Sequence, residues 1–301
     1  MTTLVTGGTG YVGRFIVRRL AAAGEPVVSY NRDFSPVAIG GVKAVQGELY
    51  DLPRLVRALQ EDGVERIIHT AAMSHPDLSI DLPITTFTAN VEGTLMVFEA
   101  ARMAGVSRVV NFSSECAYGH VEGPVDEGAR LQPTTPYGVS KAATELLGHV
   151  YTTLYGLDVV SLRVGEVYGP ENAMPEVLRD MVWSAVRGVP FRLEAGRDHR
   201  FHFVWVEDVA RAAILASRCE RRAQDAFNVN GGPQVSLAEA ADRVREIVPG
   251  ASIELGEGPL GFDRQGEWDT AAAARDLGYR PQVALDEGIR RYAAWLADHD
   301  Y

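Results

Sequence analysis

Thr6-Gly7-Gly8-Thr9-Gly10-Tyr11-Val12-Gly13 stands between a β-branched run at residues 3–6 and an amphipathic stretch, Val12–Ala23. The glycines at this spacing have separate uses. Gly7 permits a tight turn, Gly10 lets backbone approach a pyrophosphate, and Gly13 lets helix and sheet pack closely. The helix behind them offers N–H groups and the positive end of its dipole to phosphate. A glycine triplet alone is weak evidence, but a strand before it and a helix after it make it a dinucleotide loop. Tyr11 and Val12, inside the loop, join the candidate cofactor contacts.

Outward from that loop the rhythm repeats. Strand-like runs recur at 27–30, 66–70, 108–113 and 158–164, separated by helical patterns at Leu52–Gln60 and Thr86–Ala104. Asp51 is placed to cap the first of these, with Pro53 in its first turn. Strands alternating with helices predict an α/β fold, a doubly wound Rossmann-type parallel sheet covered on both faces. After about residue 165 the rhythm weakens at Pro170, Pro175, Pro190 and the polar run 194–200. It returns briefly at Phe203–Ala216 and Phe227–Asn230. Ser236-Leu237-Ala238-Glu239 then spells a capping box for a helix ending near Pro249-Gly250, followed by a glycine-rich stretch and two short helical segments. The pattern divides the chain into a dinucleotide-binding domain, 1–165 plus about 203–230, and a smaller discontinuous substrate lobe, about 166–202 plus 231–301.

Bulk properties narrow the setting. The 301 residues carry 29 Lys plus Arg against 40 Asp plus Glu, a net charge of −11. That balance disfavours a grip on nucleic acid or anionic membrane. Cys116 and Cys219 are the only cysteines, which points to a reducing, cytoplasmic compartment. No apolar run is long enough to span a bilayer, and the N-terminus shows no signal peptide.

The end of the second strand bears on the cofactor. An acidic residue there would select NAD by holding the ribose hydroxyls. Here Asn31 is neutral and Arg32 can pair with a 2′-phosphate, so the expected cofactor is NAD(P), leaning towards NADP. Asp33 weighs against that lean.

Tyr137-Gly138-Val139-Ser140-Lys141 opens a helical run to about Tyr155, and its Tyr and Lys share one helical face. A phenol near pKa ~10 is a poor base at neutral pH, and a nearby ammonium favours the phenolate. Ser114 ends an apolar strand, at the sheet edge where such folds bind ligands. Together these make a hydroxyl-activating set: Tyr137 as acid/base, Lys141 beside it, and Ser114 on the substrate oxygen.

With those residues in hand, the chain resembles the NAD-dependent epimerase/dehydratase family, the extended short-chain dehydrogenases/reductases. The resemblance runs through the glycine loop, His69-Thr70-Ala71-Ala72, Asn90-Val91-Glu92-Gly93-Thr94, Ser113–Gly119, Tyr137–Lys141, Val167–Pro170, Phe203–Val209 and Leu277–Pro281. It implies that Lys141 lowers the Tyr137 pKa and holds the nicotinamide ribose, and that Asn90 supports the site. It further implies that Ala71 and Ala72 line the dinucleotide, that Glu48-Leu49 sits beside the adenine, and that Val164 lies near the nicotinamide. The implied activity is hydride transfer at a carbinol carbon of a sugar or sugar-nucleotide, by an oxidoreductase or isomerase. The implied assembly is a homodimer through the helices around 86–104 and 137–155.

Three departures concern the substrate. Glu166 stands where sugar-nucleotide enzymes of the family carry Asn near the diphosphate, and a carboxylate there is repulsive. Phe201 occupies the position of the family's diphosphate-pairing Arg, although Arg200 is adjacent. Residues 258–266 replace a basic stretch. A simple dehydrogenase or reductase of a non-nucleotide sugar, sugar acid or small polyol therefore stays open as the alternative. Ser114-Glu115-Cys116 also replaces the Thr-Asp-Glu of sugar 4,6-dehydratases, which disfavours dehydration. Ser74, His75, Ser114, Glu115, Glu166 and Arg200 are the candidate substrate contacts. His199 and His202 lack partners for a metal set, so no metal is expected and substrate contact or surface exposure is preferred. Cys116 reads as a packed side chain, not a nucleophile. Trp183, Trp205 and Trp295 read as core, and residues 298–301 as a frayed polar tail. A non-catalytic dinucleotide-binding sensor is the remaining class, and the intact Ser114, Tyr137 and Lys141 argue against it.

Overall fold

The β-branched runs of the first half are apolar on both faces, so they fold as the covered centre of the molecule. The computed structural model describes residues 1–33, 40–261 and 263–299; Phe262 and the tail residues Asp300 and Tyr301 lie outside it. Its strands are β1 (Thr2–Thr6), β2 (Val27–Asn31), β3 (Lys43–Gln46), β4 (Val64–His69), β5 (Arg108–Phe112), β6 (Asp158–Val164), β7 (Glu166–Tyr168), β8 (Phe191–Leu193), β9 (Arg200–Phe201), β10 (Phe203–Trp205), β11 (Ala226–Val229), β12 (Val235–Ser236) and β13 (Ile253–Leu255). Seven of them form one parallel sheet, ordered β11-β6-β5-β4-β1-β2-β3. The chain reverses its direction of travel across the sheet between β1 and β4. That switch point opens a crevice at the strands' carboxyl ends.

The helices are α1 (Tyr11–Ala22), α2 (Leu52–Glu61), α3 (Pro76–Asp81), α4 (Pro83–Phe87), α5 (Gly93–Ala104), α6 (Pro136–Tyr155), α7 (Val177–Arg187), α8 (Val206–Arg218), α9 (Leu237–Ile247) and α10 (Leu285–Asp298). Ile16 and Leu20 of α1 meet Ala212 and Ala213 of α8 in the core on one sheet face. Leu55 of α2, Phe98 of α5 and Tyr151 of α6 fill the other. A further core joins α7, α9 and α10 through Met181, Val244 and Leu296, alongside the short pairs β7–β10, β9–β12 and β8–β13. Asp51 accepts from the Arg54 N–H at 3.1 Å and caps α2. The Ser236/Glu239 capping box is present in both directions and starts α9. Among the described residues no helix is long and apolar enough to cross a membrane.

Some elements differ from expectation for identifiable reasons. β3 escapes a periodicity reading because it is an edge strand whose Lys43, Ala44 and Gln46 are exposed. The helix expected over 86–104 is broken by a π-helical turn at Thr88–Glu92. α7 fits between Pro175 and Pro190, where the prolines suggested only interruption. The last helix, α10, has 14 residues and is not short. Trp205 is buried, while Trp183 and Trp295 pack half-buried against the same core.

A buried ion pair ties the layers together beneath the crevice. Arg163 of β6 reaches Glu145 of α6 at 2.7 Å, and both side chains are under a tenth exposed. Ser113, just past β5, donates its hydroxyl to the same carboxylate. Arg163 also donates to the Tyr118 hydroxyl and the Glu127 carbonyl, at 2.9 Å each. Burial opposes the guanidinium's charge, and the Glu145 contacts more than offset it. Removing one partner leaves a charge stranded in low dielectric, so Glu145→Ala should cost about 3–5 kcal/mol in urea unfolding. The apolar double replacement Glu145→Met/Arg163→Met should recover part of that. A loss from Glu145→Ala below about 1 kcal/mol would contradict the assignment.

Candidate active site

The crevice is a cleft of about 1370 Å³. One end is built from the strand-to-helix loops. Gly7, Gly10, Tyr11, Val12 and Gly13 line it together with Asn31, Arg32, Glu48, Leu49, Ala71 and Ala72, and Val164 lies further along. Gly7 has φ +67°, a conformation that L side chains resist. Gly10 caps α1 with no side chain, so the first-turn N–H groups have no side-chain acceptor. A pyrophosphate supplies that acceptor, and the loop fits a dinucleotide on this ground.

Asn31 and Arg32 divide their tasks. The Asn31 Oδ1 accepts from the Thr9 N–H at 2.9 Å, and its Nδ2 donates to Ser29 Oγ at 2.9 Å. Asn31 therefore also fixes the shape of the glycine loop. Arg32 is exposed and pairs with Asp33 at 3.1 Å.

Further along the cleft, the structure brings Ser114, Tyr137 and Lys141 together, all buried. Thr135 starts α6 by accepting from the Gly138 N–H at 3.1 Å. A Cβ on Gly138 would fall 2.3 Å from the Cys116 carbonyl oxygen, so glycine allows α6 to approach the turn after β5. Lys141 donates from Nζ to the Phe112 carbonyl at 2.7 Å, with Nζ 5.6 Å from the Tyr137 ring centre.

The electrostatics depart from expectation. Burial pushes the Tyr137 phenol up, nearby Cys116, Glu115 and Glu166 push it further, and the Ser114 hydroxyl partly offsets them. Burial also pushes Lys141 down to about 8. In this cleft the ammonium does not outweigh desolvation, and Tyr137 keeps its proton.

Asn90 does not line the cleft. It lies in the π-helical turn, accepts from the Met73 N–H at 2.7 Å, and donates to the Met73 carbonyl at 3.0 Å and Ser140 Oγ at 2.9 Å. It ties the loop after β4 to α6, behind Tyr137. π-Bulges recur at functional sites for this kind of re-aiming.

The other end of the cleft is acidic. Glu115, Glu166, Glu176 and Asp263 line it. Burial, then Glu166 and Asp263, pushes Glu115 well up. Burial takes Glu166 to about 7. Burial and then Glu166 take Glu176 to about 8, although Glu176 also caps α7 by accepting from the Leu178 and Arg179 N–H groups.

Ser74 and His75 stand at the cleft wall, where His75 Nδ1 accepts from the Leu78 N–H at 3.3 Å. Arg200 sits exposed at the rim and donates to the Gln234 carbonyl at 2.9 Å. Phe201, next along β9, also lines the cleft and stacks on Phe203. Surface exposure of His199 and His202 is overturned, because both are buried. His202 stacks on Trp268 and is pushed down to about 4 by burial. No group of three or more metal-ligating side chains clusters among the described residues. Burial, and then Glu115, pushes the Cys116 thiol up, which keeps it neutral.

Thr9, Glu176 and Asp263 line the cleft, and Arg14 and Glu171 lie beside it, without a sequence motif that marks them. Glu176 follows Pro175 immediately before α7, so reading α7 would have exposed it as a cap. Asp263 joins through tertiary folding and leaves no local signal.

Residues 3–230 match the NAD dependent epimerase/dehydratase family. The chain is 32% identical to a UDP-glucose 4-epimerase of Mycolicibacterium smegmatis, covering 97% of each chain. It is 31% identical to a dTDP-glucose 4,6-dehydratase of Streptomyces griseus, covering 99% of this chain and 95% of that one. Its structure is similar to a Thermus thermophilus UDP-glucose 4-epimerase in complex with NAD, with TM-score 0.87, 30% identity, and 98% and 99% of the two chains covered. With its cleft at the switch point and the match running through glycine loop and α6, the chain belongs to the NAD-dependent epimerase/dehydratase family.

Proposed function

We propose that the protein interconverts nucleotide-linked hexoses by reversible oxidation of a carbinol carbon, without net consumption of cofactor. The observation that carries this reading is Ser114, Tyr137 and Lys141 buried together beside an uncapped glycine loop. The relatives' sugar-nucleotide names support it over a free sugar, sugar acid or polyol. When bound, the oxidised dinucleotide supplies the hydride acceptor and a positive charge that favours the phenolate.

Tyr137 takes the hydroxyl proton as the carbinol is oxidised and returns it on reduction. Ser114 holds the reacting oxygen, and Lys141, anchored on the Phe112 carbonyl, fixes the ribose side. Asn90 is a positioning residue behind them. Glu115 faces the sugar and Glu166 the adjoining diphosphate, with Ser74, His75 and Arg200 at the cleft edge. Cys116 offers no second carboxyl group for elimination, which favours inversion over dehydration.

Residues 1–165 plus about 203–230 hold the cofactor, and the lobe of about 166–202 plus 231–301 holds the sugar. Arg32 supports a tolerance for NADP, reduced by its pairing with Asp33. Exposed Ile80, Ile84, Leu146, Val150 and Leu154, on α3, α4 and α6, support a homodimer across that apolar face. Cys116 and Cys219 are unpaired, as suits a reducing, cytoplasmic setting.

Incubation with UDP-glucose or dTDP-glucose and either NAD or NADP should give a changed sugar with no stoichiometric reduced cofactor. Accumulating reduced cofactor with free sugars would overturn the reading. Tyr137→Phe should lower kcat by about 10²–10⁴-fold while dinucleotide affinity holds; an unchanged kcat excludes Tyr137 as the acid/base.

The carboxyls give a pH signature. With its pKa raised to about 7, Glu166 is neutral below that pH and anionic above it. A diphosphate substrate should therefore bind better at acid pH, and its KM should climb as pH rises through 7. Glu166→Gln should flatten that climb. An identical KM profile in wild type and variant would show that Glu166 does not face the substrate.

A further inference from the structure

Among the described residues, Glu171 alone of the non-glycine residues has positive φ, at 65°. A left-handed backbone is strained for an ordinary L residue, and such strain persists where surrounding contacts fix it. The contacts here are specific. Arg14 reaches the Glu171 carboxylate at 2.9 Å and Arg18 reaches it at 2.5 Å. A second Arg18 nitrogen donates to it at 3.1 Å. Tyr11 donates its hydroxyl to the Gly169 carbonyl at 3.2 Å.

These contacts join the two halves of the site. Arg14 also donates to the Thr9 carbonyl at 2.9 Å and the Gly10 carbonyl at 3.2 Å, so it holds the glycine loop itself. Glu171 lies in the turn after β7, between Glu166 and Asn172, which both line the sugar end of the cleft. Burial works against the Glu171 charge, and the two guanidiniums more than offset it and keep the carboxylate ionised. The pairs are only partly buried, with Glu171 26% exposed, so they can open without unfolding the core.

We propose that Glu171 is a positioning residue. Through Arg14 and Arg18 it locks the sugar-side turn onto the dinucleotide loop, slowing cofactor release and setting the substrate pocket. This rests on the reading above that the glycine loop holds a dinucleotide. A cofactor retained between turnovers suits redox-neutral chemistry, in which the same molecule must give back what it took.

The test uses the intact protein loaded with NADH, and in parallel NADPH, following dissociation by the fluorescence of the bound reduced nicotinamide. Glu171→Gln should speed release about three- to tenfold, the effect of a partly solvated charged network. It should raise KM for the nucleotide hexose while leaving kcat within twofold. Arg14→Gln should also speed release, and adding Glu171→Gln to it should add little further. High salt should speed release from wild type and narrow the gap.

Glu171→Gly separates positioning from mere structure. It suits the left-handed backbone, so thermal stability should hold while release still accelerates. Release rates within twofold of wild type in both Glu171 variants would overturn the proposal and leave the cofactor reading standing. A wild-type protein that binds neither NADH nor NADPH would overturn both.

Discussion

The buried pair between Arg163 and Glu145 is the constraint on which the site's geometry depends. It joins β6 to α6, and through Ser113 it also fixes the end of β5. Ser114 follows Ser113 directly, while Tyr137 and Lys141 lie about two turns and one turn, respectively, before Glu145 on the same helix. A shift of α6 along the sheet would therefore separate the hydroxyl of Ser114 from the phenol of Tyr137. The charges are costly to bury. What they supply is a fixed distance between two elements whose remaining polar ties are neutral ones, from the Val159 N–H to Thr152 and through Asn111 to Thr144 and Ser161.

The same burial that fixes the site also sets its protonation. Tyr137 is held neutral and Lys141 is brought down to about 8. Glu115, Glu166 and Glu176 are pushed up at the sugar end. The cleft without ligand thus keeps its acids protonated more than water would. Charge brought in by cofactor and substrate then decides which group gives up its proton. A Tyr-Lys pair read from sequence suggests an activated phenolate at rest. In the folded cleft burial instead pushes that phenol up, and positive charge beside it would work the other way.

Much of this was legible in the sequence, because the relevant signals are local. The glycine loop, the Asp51 cap, the Ser236/Glu239 box and the Tyr137–Lys141 spacing each depend on neighbours within a few residues, and each takes the expected place. What escaped has another physical origin. β3 is an exposed edge and carries no alternation. The π-helical turn that aims Asn90 has no period of its own. The burial of His199 and His202, the convergence of Glu176 with Glu166, and the Arg14–Glu171 bridge are tertiary events between segments far apart in the chain. Desolvation is likewise a property of the closed cleft and cannot be read from a motif.

The chemistry turns on a hydride, not a proton, leaving the sugar carbon. The direct measurement loads the protein with oxidised cofactor and adds a nucleotide hexose deuterated at the carbon to be oxidised, then quenches within a turnover and weighs the cofactor. Deuterium on the nicotinamide, with the remainder retained in the sugar product, is the predicted result. Deuterium released to water, with an unlabelled nicotinamide, would mean that the carbon is deprotonated and would contradict the account.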